Sequence, residues 1–117
     1  MPITEERKQE IAKSLKRCSD ATVEAALRFE ETRNLDELPA IILGVLERDA
    51  ANPKPEGVAA ATDEARLIED IGMDSFGMIE VVMTAEEVLG ITVANQEMND
   101  IRTLGQLKVF LRTKLAA

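Results

Sequence analysis

Residues 67–89 read LIEDIGMDSFGMIEVVMTAEEVL, and the reading turns on Ile71-Gly72-Met73-Asp74-Ser75-Phe76-Gly77-Met78-Ile79-Glu80. Gly72 interrupts whatever precedes it, and Asp74 places a carboxylate where a helix N-cap needs one. The spacing predicts a helix from Ser75 to Leu89. Ile79, Val82, Met83 and Val88 or Leu89 recur at helical intervals, with Glu80, Glu86 and Glu87 among or beside them. Ser75 then falls in the first turn, where backbone N–H groups have no intrahelical acceptor and the dipole is positive. A phosphate esterified to its hydroxyl would lie where helix N-termini already favour anions.

Towards the C-terminus, Gly90 ends this helix and Ile91 and Val93 point inward along an extended link. A short helix is expected from Asn95 to Ile101, with Met98 and Ile101 buried. Thr103 and Gln106 have capping-box spacing, opening a last helix that buries Leu104, Leu107, Phe110 or Leu111, and Leu115. Lys108, Arg112 and Lys114 complement its negative end. Towards the N-terminus, Leu67, Ile68 and Ile71 should anchor an irregular connection, with a helical turn after Thr62 or Asp63. Asn52-Pro53-Lys54-Pro55-Glu56-Gly57 cannot continue a helix. Before it, Asp36 is expected to cap a helix with Pro39 in its first turn and a wide apolar face of Leu38, Ile41, Ile42, Val45 and Leu46. Two further helices precede that one. The first is capped by Thr4 and runs to about Arg17, with the stripe Ile11, Ala12, Leu15 and Cys18. The second starts at Ser19 or Asp20, buries Val23, Ala26, Leu27 and Phe29, and is closed by Asn34. No strand pattern or repeat appears, so the fold class is all-α.

The 117 residues are 45% hydrophobic and 31% charged, which suits a folded chain. No apolar run reaches membrane-spanning length, and the charged start MPITEERKQEIAK is unlike a secretory signal, so a cytoplasmic location is expected. Histidine is absent, which removes the commonest general base and metal ligand and makes an enzyme improbable. The single cysteine, Cys18, forms no internal disulfide and reads as a small buried apolar residue. Residues 1–34 hold seven basic and seven acidic side chains, so the net charge of −8 resides in residues 35–117. Between Arg66 and Arg102 there are eight acids and no Lys or Arg. Such clustering steers towards basic partners and disfavours nucleic acid.

The run from Leu67 to Leu89 closely resembles the acyl carrier protein family, whose signature is a Leu-Gly-x-Asp-Ser-Leu segment followed by a Glu-bearing helix. The resemblance implies a four-helix bundle with one short helix in residues 35–117, preceded by about two extra helices in an extension, residues 1–34. It further implies a 4'-phosphopantetheine arm on Ser75, beside Asp74, whose thiol holds an acyl group as a thioester while other enzymes do the chemistry. Phe76, Ile79 and Met83 match positions that offer exposed apolar contacts, although by periodicity some of them suit a core equally well. Glu80, Glu86 and Glu87 match acids offered to Arg and Lys of partners. The implied partners are a phosphopantetheinyl transferase and acyl-loading, condensing or acyltransferase enzymes with basic docking faces, met by a monomer. An aliphatic interior could shelter a chain.

Departures from the pattern point to a specialised carrier of lipid or polyketide type. Phe76 replaces the usual Leu, Gly77 stands where an acid is frequent, and Asn95 and Gln96 sit where the short helix is commonly acidic. Glycine in a helix costs about 1 kcal/mol against Ala, so Gly77→Asp is expected to stabilise the fold. The cargo stays open between acyl and aminoacyl or peptidyl groups. The alternative class is an acidic helical adaptor without a prosthetic group. The extension carries no motif, and its apolar residues are expected to pack on the bundle away from Ser75.

Overall fold

A computed structural model describes residues 3–53 and 57–116. Lys54, Pro55 and Glu56, within the expected loop, lie outside the described residues. Among the described residues every regular element is helical: α1 (Glu5–Ser14), α2 (Asp20–Thr32), α3 (Leu38–Asp49), α4 (Ser75–Leu89), α5 (Asn95–Met98) and α6 (Leu104–Ala116), with 3-10 turns at Leu35–Glu37 and Val58–Ala60. The all-α expectation holds, and only an isolated bridge between Arg66 and Thr103 adds β pairing among these residues.

Capping explains most boundaries. Thr4 Oγ1 accepts from the Arg7 N–H at 3.1 Å. α1 nevertheless stops three residues before Arg17, because Arg17 turns to φ +73 and the chain closes tight bonds from Lys16 N to Lys13 O and from Cys18 N to Leu15 O. Ile11 and Leu15 are buried as expected, whereas Ala12 is exposed. Ser19 caps α2, and Arg33, at φ +57, closes it in place of Asn34. Asn34 instead caps the 3-10 turn through Asp36 N–H at 3.0 Å. Asp36 therefore does not cap α3, which continues directly out of that turn with no side-chain cap. α6 opens with the expected reciprocal pair: Thr103 Oγ1 accepts from Gln106 N–H, and Gln106 Oε1 from Thr103 N–H. α5 is shorter than expected, ending at Met98, with Met98 and Ile101 half-buried.

One apolar core runs through all of this. α3 buries its five expected residues, and Ile11 of α1, Leu15 just after it and Phe29 of α2 join the same cluster as Leu89 and Leu104. α2 turns its small residues Thr22, Ala25 and Ala26 inward beside Phe29, leaving Val23 and Leu27 half-buried. The reason lies in α3: Gly44 abuts Thr22, with no room for a methyl group. Leu67 and Ile71 anchor the connection, which is bonded to the head of α6 by Leu67 N–H to Arg102 O and Leu104 N–H to Ala65 O, both at 2.9 Å. Ile68 does not anchor it; the tight coil turns this residue outward, 54% exposed.

Two arginines fasten the first two helices to the rest. The Arg48 guanidinium, paired with Asp49 at 2.9 Å and only 7% exposed, donates to Ser14 O at 2.7 Å and Thr84 Oγ1 at 2.8 Å. Arg7 pairs with Glu30 and donates to the carbonyls of Glu87 and Val88 at 3.0 and 3.3 Å. These contacts fall on the second half of α4. From Ser75 to Glu87 is about 18 Å along the axis at 1.5 Å per residue.

Candidate functional site

The first turn of α4 has a defined backbone. Asp74 Oδ1 accepts from Gly77 N–H at 2.6 Å, and Asp74 O accepts from Met78 N–H at 3.0 Å. The N–H groups of Ser75 and Phe76 have no protein acceptor among the described residues. Asp74 and Ser75 are both exposed. Gly90, in the left-handed region, ends the helix as its sequence indicates.

Gly77 is where local reasoning fails. It is buried, and a Cβ there would stand 2.6 Å from Asp49 O, 3.0 Å from Asp74 Oδ1 and 3.1 Å from Met73 Cε. The end of α3 crosses the head of α4 so closely that only glycine fits. The expected gain from Gly77→Asp is thereby overturned, since steric overlap outweighs backbone entropy.

Beside Ser75 lies a cleft of about 760 Å³, walled by Ile68, Met78, Ile79, Met98 and Ile101 and also lined by Arg66 and Arg102. The two arginines that bracket the eight-acid run are brought together here by the pairing of the connection with the head of α6. The interior is different. Between α3, α4 and α6 the void is about 20 Å³, lined by residues such as Ile42, Val45, Val81 and Leu107. An interior chamber for an acyl chain is not preformed.

Phe76, Ile79 and Met83 are 69%, 57% and 51% exposed. At i, i+3 and i+7 they form one apolar stripe, while Gly77, Val81, Thr84 and Val88 face the core. The acids alongside have unequal freedom. Glu86 is half-buried and accepts from Val93 N–H at 2.9 Å, bracing the link after α4. Glu87 accepts from Ser14 Oγ at 2.6 Å, and half-buried Glu80 lies in the field of Arg48. Lys13, Lys16 and Arg17, which no pattern in the sequence singles out, share a second cleft with Glu80 and Met83.

Other reactive groups are muted. Cys18 is half-buried with its thiol 3.8 Å from Gly44 O, and burial pushes that thiol up despite the opposing effect of Arg48. Among the described residues no cluster of His, Cys, Asp or Glu is placed to hold a metal ion. None of the described helices is long and apolar enough to cross a membrane.

The family model described as phosphopantetheine attachment site matches residues 36–111. An acyl carrier protein of Thermotoga maritima is 35% identical over 54 residues, which span 46% of this chain and 67% of that protein. The acyl carrier protein MbtL of Mycolicibacterium paratuberculosis is 34% identical over 73 residues, spanning 62% of this chain and 78% of that one. The chain belongs to the acyl carrier protein family. No solved structure matches it. The carrier bears a covalently attached 4'-phosphopantetheine and is not itself a catalyst. The head of α4 fits such a group: an exposed hydroxyl adjoins two free N–H groups at the positive end of a 15-residue helix, where a phosphodiester is favoured.

Proposed function

We propose that Ser75 carries the phosphopantetheine arm. One observation supports this above the others: Ser75 is the only serine within residues 36–111, and its hydroxyl is exposed in the first turn of α4. The remaining serines, Ser14 and Ser19, precede that segment and are hydrogen-bonded to Glu87 and Thr22. Asp74 holds the turn that presents the hydroxyl. The arm's thiol then carries an acyl group as a thioester, and the cleft of Ile68, Met78, Ile79, Met98 and Ile101 offers it apolar walls.

In this reading Phe76, Ile79 and Met83, with Glu80, Glu86 and Glu87 beside them, form the face that meets a phosphopantetheinyl transferase and acyl-loading, condensing or acyltransferase enzymes. Residues 35–117 form the carrier domain and residues 1–34 an extension sharing its core. The departures at Phe76, Gly77 and Asn95 favour a specialised role in cytoplasmic lipid or polyketide-type assembly. Intact mass after co-expression with a broad-specificity transferase tests the assignment. The wild type should gain one phosphopantetheine and Ser75→Ala none; a gain that survives Ser75→Ala would overturn it.

A further inference from the structure

The sequence places an acidic run on the docking helix, but the fold sets cations from elsewhere next to it. A cleft of about 660 Å³ runs between α1 and α4, with Lys13, Lys16 and Arg17 on one side and Glu80, Met83 and Glu87 on the other. All three cations are exposed and none makes an ion pair among the described residues. The other cations of residues 1–34 are engaged: Arg7 and Arg33 with Glu30, Lys8 with Glu5, and Arg28 with Glu37. The acids opposite are partly spent, Glu87 on Ser14 and Glu80 in the field of the buried Arg48.

The cluster is also held in place. Arg17 sits in a turn closed by Lys16 N–H to Lys13 O at 3.2 Å and Cys18 N–H to Leu15 O at 2.9 Å. Leu15 is 1% exposed, and Arg48 donates to the carbonyls of Ser14 and Lys16. Three like charges borne within a few residues on a backbone held in this way repel one another and any basic surface brought against them. Glu10, Glu80 and Glu87 line the same cleft without pairing with them, so direct ion pairing of these three takes carboxylates supplied from outside.

We propose that α1 and the turn after it add a cationic flank to the docking face of α4, and that a partner enzyme fitting this face presents carboxylates opposite Lys13, Lys16 and Arg17 and an apolar group against Met83. The inference rests on the reading of α4 as the docking helix. It makes the extension a selector, which disfavours partners whose docking surfaces are wholly basic.

The test uses the full-length protein and, as probe, a phosphopantetheinyl transferase with an Arg- and Lys-rich docking surface. Lys13→Glu/Lys16→Glu/Arg17→Glu should be modified about 3- to 10-fold faster than wild type at low salt. The difference should vanish at about 0.5 M salt, where screening is short-ranged. Lys13→Glu/Lys16→Glu, which leaves the Arg17 turn intact, should move the same way by a smaller factor should the triple variant fail to fold. Replacing the transferase arginine that faces Lys13, Lys16 and Arg17 by Glu should then help it on the wild type and hinder it on the variant, a non-additive cycle. Equal rates at every salt, a slower variant, or an additive cycle would each overturn the proposal. Failure of the carrier reading looks different, because neither protein would be modified at all.

Discussion

At the scale of single residues, the head of α4 depends on contacts that a side-chain inventory does not show. Asp74 accepts from Gly77 N–H at 2.6 Å, so Asp74→Ala should cost about 0.5–2 kcal/mol, as lost caps do. Gly77 cannot take a Cβ beside Asp49 O without a shift of α3 against α4. Gly77→Ala should lower stability by about 1–3 kcal/mol and Gly77→Asp by more, because overpacking strains both helices. Thermal melting of the unmodified protein checks this, and a raised midpoint for either variant would contradict the crossing described above. Cys18 is predicted to be a slow nucleophile. Burial holds its thiol above the ordinary range, so at a given pH less thiolate is present than for a free cysteine. Iodoacetamide should therefore react with it more slowly than with a small free thiol at pH 8, and comparable rates would count against this environment.

At the scale of elements, α2 and α3 meet in close contact, through Gly44 against Thr22. Gly44→Ala should cost about 1–3 kcal/mol by forcing the helices apart. Thr22→Ala should recover part of that loss, since most of the overlapping atoms lie beyond its Cβ. Denaturant midpoints of the single and double variants decide it, and simple additivity would show that the two positions do not oppose each other. The short α5 is held mainly by Glu97, whose carboxylate takes Lys114 Nζ at 2.7 Å and the N–H of Ala94 at 2.9 Å. The Lys114 hydrogen bond, followed by that from Ala94, keeps this carboxyl below the usual range. A lowered folded value means that the stabilisation is complete above the ordinary carboxylate pKa and disappears as pH falls through the lowered one. Protection of the amides of residues 94–98, measured against their intrinsic exchange rate at each pH, should fall in acid in the wild type and be low at neutral pH in Glu97→Gln. Unchanged protection in both would rule out this anchoring.

At the scale of the molecule, the first two helices are part of the core and not a tail. Ile11, Leu15 and Phe29 are almost wholly buried, and each is worth about 1.5–3 kcal/mol when removed from water. Their sum is comparable with the total stability of a typical domain, about 5–15 kcal/mol. Deleting residues 1–34 would also strip Arg48 of its carbonyl partners at Ser14 and Lys16. We expect the truncated chain to melt far below the full one. In the full chain, amides of residues 5–14 and 20–32 should exchange as slowly as those of α3. Rapid exchange throughout both helices would instead describe a segment that orders only against a partner.

The features legible in the residues are those that neighbours within one helical turn decide. Asp74 and Gly90 bound α4, Thr103 and Gln106 open α6, and the 3.6-residue period of α3 marks its buried face. The position of Ser75 in a first turn follows from the same local rules. Periodicity left open whether Phe76, Ile79 and Met83 are core or surface, because an apolar stripe has the same period whichever way it faces; the resemblance pointed to the surface, and the tertiary structure puts them there. Their exposure follows from Gly77 and Val81 turning to α3 instead. It also decided that Ile68 points outward, that Arg66 and Arg102 line one cleft, and that Lys13, Lys16 and Arg17 stand beside Glu80. These pairings join residues 36 to 67 positions apart, and no local propensity encodes them. They arise from the close packing of helices around one shared core.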